Sequence, residues 1–177
     1  MHHNGFERAL QPWLHRAYAG VVATSEWVLL AYRLPREPST PRINVWRKLR
    51  RLGVVQVVDG LVALPADPRT VEAFDWLADE VLEAGGEAWT WRATSSKEQE
   101  RALRQRAGDA VAAEFRSLAT KASEAETDPQ RRTVDRLRRE LRSIQGRDYF
   151  GSKEQDRARR AVDRLTALQD AEADAAR

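Results

Sequence analysis

The sequence predicts an α+β fold, and three observations carry that prediction. Apolar runs of strand length occur at Trp27–Leu34, Val54–Val58, Leu61–Leu64 and Glu87–Ala93. Two amphipathic stretches of helical period, Arg42–Leu52 and Arg69–Ala84, separate the first run from the second and the third from the fourth. After Ser95-Ser96 no strand-like run remains. The order is β-α-β-β-α-β, the ferredoxin-like arrangement of two βαβ units in one antiparallel sheet, with a C-terminal α-helical extension.

Each element has its own signal. Trp27 to Leu34 contains the continuous apolar run Val28-Leu29-Leu30-Ala31, as expected of a strand buried on both faces. Pro35 and Pro38 stop it. Pro38-Ser39-Thr40-Pro41 reads as a helix entry, with Ser39 or Thr40 as N-cap and Pro41 at the first helical position. In the helix that follows, Val45, Trp46, Leu49 and Leu52 share one stripe, while Arg47, Lys48, Arg50 and Arg51 lie around the opposite face. Gly53 ends it. Asp59-Gly60 between two β-branched runs predicts a hairpin. In the second helix Phe74, Leu77, Val81 and Trp76 are placed inward, Thr70 is the expected N-cap, and Gly85-Gly86 closes it. Glu87 to Ala93 alternates, with Ala88, Thr90 and Arg92 on one side and Trp89, Trp91 and Ala93 on the other.

The extension reads as three helices. Lys97–Ala122 spaces Leu103, Ala107, Val111, Phe115 and Leu118 helically. Thr127-Asp128-Pro129 starts a second, with Val134, Leu137, Leu141 and Ile144 on one stripe. Glu154–Leu168 is the third, antiparallel to the second, and residues 170–177 are expected to fray. Between the last two stands Gly146-Arg147-Asp148-Tyr149-Phe150-Gly151, whose Gly-bounded aromatics suggest a helix-helix turn docked onto the body. The chain divides into residues 1–24, an N-terminal segment, partly ordered; 25–95, the ferredoxin-like domain; and 96–177, the helical region with its hairpin. In the first segment Trp13, Leu14, Tyr18, Val21 and Val22 form either a short packed helix or part of a loose terminus.

Composition narrows the chemistry. The chain has 177 residues, 32% of them charged, and no Cys. That excludes disulfides, thiolate metal sites and Cys nucleophiles. His2-His3 and His15 form no third-ligand set, so no metal site is expected. No phosphate-binding glycine loop, dinucleotide fingerprint or nucleophile elbow is present. With His nearly absent, acid-base work would fall to a carboxylate; Asp59 is read as a turn former and Asp75, Asp79, Glu80 and Glu83 as a solvated helix face. No catalytic residue and no cofactor are assigned. The apolar stretch from Gly20 to Tyr32 is interrupted and too short for a bilayer, and the start carries no signal-peptide pattern, so a cytoplasmic protein without membrane contact is expected.

The net charge is only +3, but cations cluster. Residues 36–53 hold Arg36, Arg42, Arg47, Lys48, Arg50 and Arg51 against Glu37. Residues 131–147 hold Arg131, Arg132, Arg136, Arg138, Arg139, Arg142 and Arg147 against Asp135 and Glu140. Such clusters suit a polyanion, because binding releases its counterions. Arg42, Arg47, Lys48, Arg50, Arg51, Arg138, Arg139 and Arg142 are therefore the nucleic-acid-binding candidates. The competing reading is a solvated face, or salt bridges from the first helix to the acidic second helix beside it. No base-reading element is visible.

The stretch Trp27 to Pro35, then Glu37-Pro38-Ser39, Arg42, Val45-Trp46-Arg47-Lys48-Leu49, Leu52-Gly53 and Asp59 to Pro65 resembles the N-terminal domain of the ChrB family of chromate-resistance regulators. Phe74 to Ala78, Gly85 to Ala88 and Arg147-Asp148-Tyr149-Phe150-Gly151 extend the resemblance to about residues 25–168. The ferredoxin-like part is more distantly similar to Cas2 nucleases and to the middle domain of PaaX-type repressors. The resemblance implies a DNA-associated, homodimeric regulator of a chromate-efflux operon. Longer members carry a further C-terminal domain that does not appear in this sequence. Cas2-like nucleases place an Asp after the aromatic residue of the first strand, where this chain has Arg33 after Tyr32, which argues against metal-dependent nuclease action. Chromate is a tetrahedral dianion, and Arg33 with Arg42 are the oxyanion-binding candidates for it as an effector. The alternative function is a non-enzymatic dimerising module without DNA binding; a metal-dependent nuclease is the third.

Overall fold

The computed structural model describes residues 26–175; the readings made for residues 1–24 lie outside them. Strands β1 (Glu26–Arg33), β2 (Val55–Val58), β3 (Leu61–Pro65) and β4 (Glu87–Thr94) form one sheet in the order β2-β3-β1-β4. Every neighbouring pair is antiparallel. Helices α1 (Ser39–Leu52) and α2 (Pro68–Glu83) complete the β-α-β-β-α-β order. The Asp59-Gly60 turn joins β2 to β3, with Gly60 at φ +72° and its carbonyl accepting from the Tyr32 N–H at 2.7 Å. A bulge at Val57 shifts the β2–β3 register.

Alternation divides the sheet's side chains between two layers. Val28, Leu30, Val62 and Leu64 point toward α1 and α2, where they meet Val45, Leu49, Phe74, Leu77 and Val81. Trp27, Ala63 and Val55 point the other way, onto Leu103 and Ala107 of α3 (Lys97–Glu124). β1 is thus covered on both faces at Trp27 to Leu30, as its apolar run requires.

Several local expectations are corrected. Helix α1 begins at Ser39, with extended Pro38 at the N-cap and no side-chain cap. Pro41 therefore sits within the first turn, where a missing N–H costs nothing because those donors have no helical acceptor. The N-cap of α2 is Asp67, and Thr70 is its third residue. Asp67 Oδ1 accepts from Thr70 N–H at 2.8 Å while Thr70 Oγ1 accepts from Asp67 N–H at 3.0 Å. Thr70 Oγ1 also donates to the Pro65 carbonyl at 2.6 Å, which explains its burial. Trp46 and Trp76, both placed inward from sequence, are 52% and 70% exposed. Val45 and Leu49 fill the contact with the sheet, and Trp46 lies about 100° further round, at the margin of the stripe.

Helix α3 links two cores. With 28 residues it is about 42 Å long. Its second half packs Val111, Phe115, Leu118, Ala119 and Ala122 against α4 (Arg131–Gln145) and α5 (Gln155–Ala175). A short 3-10 turn, Ala125–Thr127, delays the start of α4 to Arg131. α5 continues to Ala175 rather than fraying from residue 170. The loop between α4 and α5 docks on the sheet domain as its aromatics suggested. Tyr149 is buried, and its hydroxyl donates to the Leu52 carbonyl at the end of α1, 2.8 Å away. Phe150 lies 6.0 Å from the Trp27 ring, centroid to centroid, with the Arg104 guanidinium 4.8 Å above it. Arg147 bonds Glu114 and the Ser143 carbonyl, and its stem packs so close to Gly53 that a Cβ there would approach it to 2.9 Å. Gly53 also needs φ +71° to cap α1, so two constraints select glycine.

Candidate nucleic-acid interface

The basic face of α1 is largely engaged. Lys48 Nζ lies 2.5 Å from Glu80 Oε2 on α2, the salt bridge that the acidic neighbour made the competing expectation. Arg50 stacks on the exposed Trp46 ring at 4.9 Å. Arg42 Nη1 donates to the Arg36 carbonyl at 3.0 Å. Arg47 and Arg51 are exposed and have no ion-pair partner among the described residues.

Helix α4 is arranged differently. Val134, Leu137, Leu141 and Ile144 occupy an arc of about 80° and bury it in the bundle. Arg131, Arg138 and Arg142 then form one row outside, and Arg132, Arg136 and Arg139 a second. All six are exposed, and none has an ion-pair partner among the described residues. Glu140, one of two carboxylates on the helix, is drawn to Lys121 of α3 at 2.7 Å. Arg138, Arg139 and Arg142 thus face solvent in neighbouring positions, with Asp135, the helix's other carboxylate, exposed between the two rows and outnumbered six to one. Arg147, counted in the same run, belongs to the docking loop and pairs with Glu114.

Arg33 and Arg42 are each held elsewhere. Arg33 Nη2 pairs with Glu87 Oε1 at 3.0 Å across the β1–β4 register, and Arg42 caps the Arg36 carbonyl; neither contact involves the other arginine. A further cationic feature escaped the sequence reading. Arg157, Arg160 and Arg164 of α5 line a groove of about 550 Å³ against Thr120, Ser123 and Glu124 of α3. Their i, i+3, i+7 spacing was visible, but only the packing of α5 on α3 turns that spacing into one wall of a groove. Arg164 also lies 3.4 Å from Glu126.

The sequence model described as "Protein ChrB, N-terminal" matches residues 42–124, just under half of the chain. A curated relative, "Protein ChrB" of Cupriavidus metallidurans (strain ATCC 43123 / DSM 2839 / NBRC 102507 / CH34), is 30% identical over 76 residues. Residues 42–124 are thus similar to the ChrB N-terminal family. The match covers 43% of this chain and 24% of the relative, so it spans about a quarter of that protein's length. No solved structure matches. The ChrB match contains most of α1, all of α2 and α3, and strands β2, β3 and β4, but not β1. It ends at Glu124, before the arginine rows of α4 and the groove residues of α5. The two basic clusters therefore stand on opposite sides of the ChrB boundary.

Proposed function

We propose that the protein is a DNA-associated, non-enzymatic regulator of a chromate-resistance operon that holds duplex phosphates on the arginine face of α4. The observation that carries this reading is the double row on α4, six exposed guanidinium groups on a helix anchored by a buried stripe. Arg138, Arg139 and Arg142 are the central contacts, with Arg47 and Arg51 of α1 as the available part of the first cluster. Guanidinium groups bind phosphate oxygens bidentately, and the helix fixes the spacing at which their stems are presented. The ChrB relationship supplies the chromate-resistance setting, and on this reading the protein works in the cytoplasm with chromate as effector. The groove of Arg157, Arg160 and Arg164 offers such a dianion two guanidinium groups without an ion-pair partner among the described residues, Arg157 and Arg160, whereas Arg33 and Arg42 are already engaged. Arg33, in ion pair with Glu87 where Cas2-like nucleases hold a carboxylate, is the reason nuclease action is not proposed.

The test is retardation of the chain's own promoter DNA across a salt series. Each phosphate neutralised contributes about 0.9 to the slope of log affinity against log salt, so α4 alone should give a slope of roughly three to five. Absence of any retardation at low salt overturns the proposal.

A further inference from the structure

The cover that α3 lays over the second sheet face ends before β4. Leu103 and Ala107 meet Trp27, Val55 and Ala63, while Trp89 and Trp91 remain 55% and 49% exposed. Register places both indoles on that same face, Trp91 beside Leu29 and Trp89 beside Ala31. β4 is also an edge. Among the described residues it pairs with β1 alone, through eight consecutive residues with no proline and no bulge. Natural edge strands are commonly blunted by one of those devices, and this one has two exposed indoles in their place.

We infer that β4 is the seat of a second copy of this chain, paired antiparallel to itself about a twofold axis to give a continuous eight-stranded sheet. Of the registers such an axis permits, the one centred on Thr90 sets Trp89 of each copy against Trp91 of the other. A shift by one pair in either direction leaves an indole against Glu87 or Ala93 instead. Glu87 and Arg92 project from opposite faces of the strand and do not face each other across such a pair, so the indoles set its register. The local charge is balanced by the Arg33–Glu87 and Arg92–Glu26 pairs, at 3.0 and 4.0 Å, which does not favour a polyanion on this face. Four indoles, each about half exposed, supply roughly 500 Å². That is under half of the ~1,200 Å² of a standard stable interface, and the paired strand edges must supply the rest. The dimer is accordingly a concentration-dependent one. It stands independently of the DNA reading.

The experiment is sedimentation velocity of the full chain over a wide concentration range, beside the Trp89→Glu/Trp91→Glu double variant. The expected result is a mass rising from one chain to two for the parent and staying at one chain for the variant, with unchanged far-ultraviolet circular dichroism. Because the chain has no cysteine, Thr90→Cys provides a second reading: mild oxidation should give one disulfide-linked dimer, and adding the two Glu substitutions should abolish it. A parent that is monomeric at every concentration overturns the inference, as does a dimer that survives both Glu substitutions. Quenching of the indoles by single-stranded oligonucleotide in a chain that stays monomeric also overturns it, and assigns the face to base stacking.

Discussion

Helix α1 and helix α4 are both rich in cations, yet the fold leaves them in opposite states. α1 lies beside an acidic helix, and Lys48 is drawn to Glu80 while Arg50 folds over Trp46 and Arg42 over a backbone carbonyl. α4 packs against α3 and α5, yet none of its six arginines forms an ion pair among the described residues, and its own Glu140 is taken by Lys121. The difference teaches that a count of cations along a sequence is not a count of available charge. What decides is the sign of the neighbouring element, and that is a tertiary fact.

The comparison can be broken most severely at the support of α4. Phe115 is fully buried at the centre of the bundle core. Phe115→Ala should cost about 3–5 kcal/mol in chemical denaturation through reduced burial and the cavity left behind. It should weaken DNA retention in proportion to the fraction of bundle unfolded, while the α1–sheet layer keeps its own core. Retention unchanged under conditions where the bundle is demonstrably unfolded would show that α4 is not the surface used.

A smaller effect is expected at the junction between the two layers. Tyr149→Phe removes the hydroxyl from the Leu52 carbonyl and should cost about 1 kcal/mol. Burial is the main cause that raises the Tyr149 phenol above its usual value, with Asp67 adding to the rise and Arg69 and Arg147 opposing it. The folded state therefore holds this proton more tightly than the unfolded chain does. The stability this contributes is complete below the ordinary tyrosine range and is lost as pH climbs through the raised folded value. Denaturation midpoints measured across the alkaline range should fall more steeply for the parent than for Tyr149→Phe. Parallel curves would remove Tyr149 as the alkaline lock.

The sheet was legible because its signals are local. Asp59-Gly60 between β-branched runs, the alternation of Trp89 and Trp91, and the Val45/Leu49 spacing each specify structure within a few residues. The cap of α2 was misplaced by three residues because Asp67 and Thr70 form a reciprocal box, in which either side chain reads as a cap. Trp46 and Trp76 were placed inside because an aromatic at the margin of a stripe has the same period as one at its centre; only the packed neighbours decide. The docking of Tyr149 and Phe150 was visible as a motif, but their partners Leu52, Trp27 and Arg104 lie far away in sequence. At the site, both clusters were legible as charge. Their opposite fates were not, since Glu80 and Lys121 act through the space between helices.

The most direct measurement compares two alanine sets by their salt dependence on the same DNA. Arg138→Ala/Arg139→Ala/Arg142→Ala removes free guanidinium groups from α4, and Arg42→Ala/Lys48→Ala/Arg50→Ala removes engaged cations from α1. The α4 set should lower the slope of log affinity against log salt by about 0.9 for each phosphate no longer neutralised, roughly two to three in all, and the α1 set should leave it nearly unchanged. An unchanged slope for α4 with a fall for α1 would contradict the account.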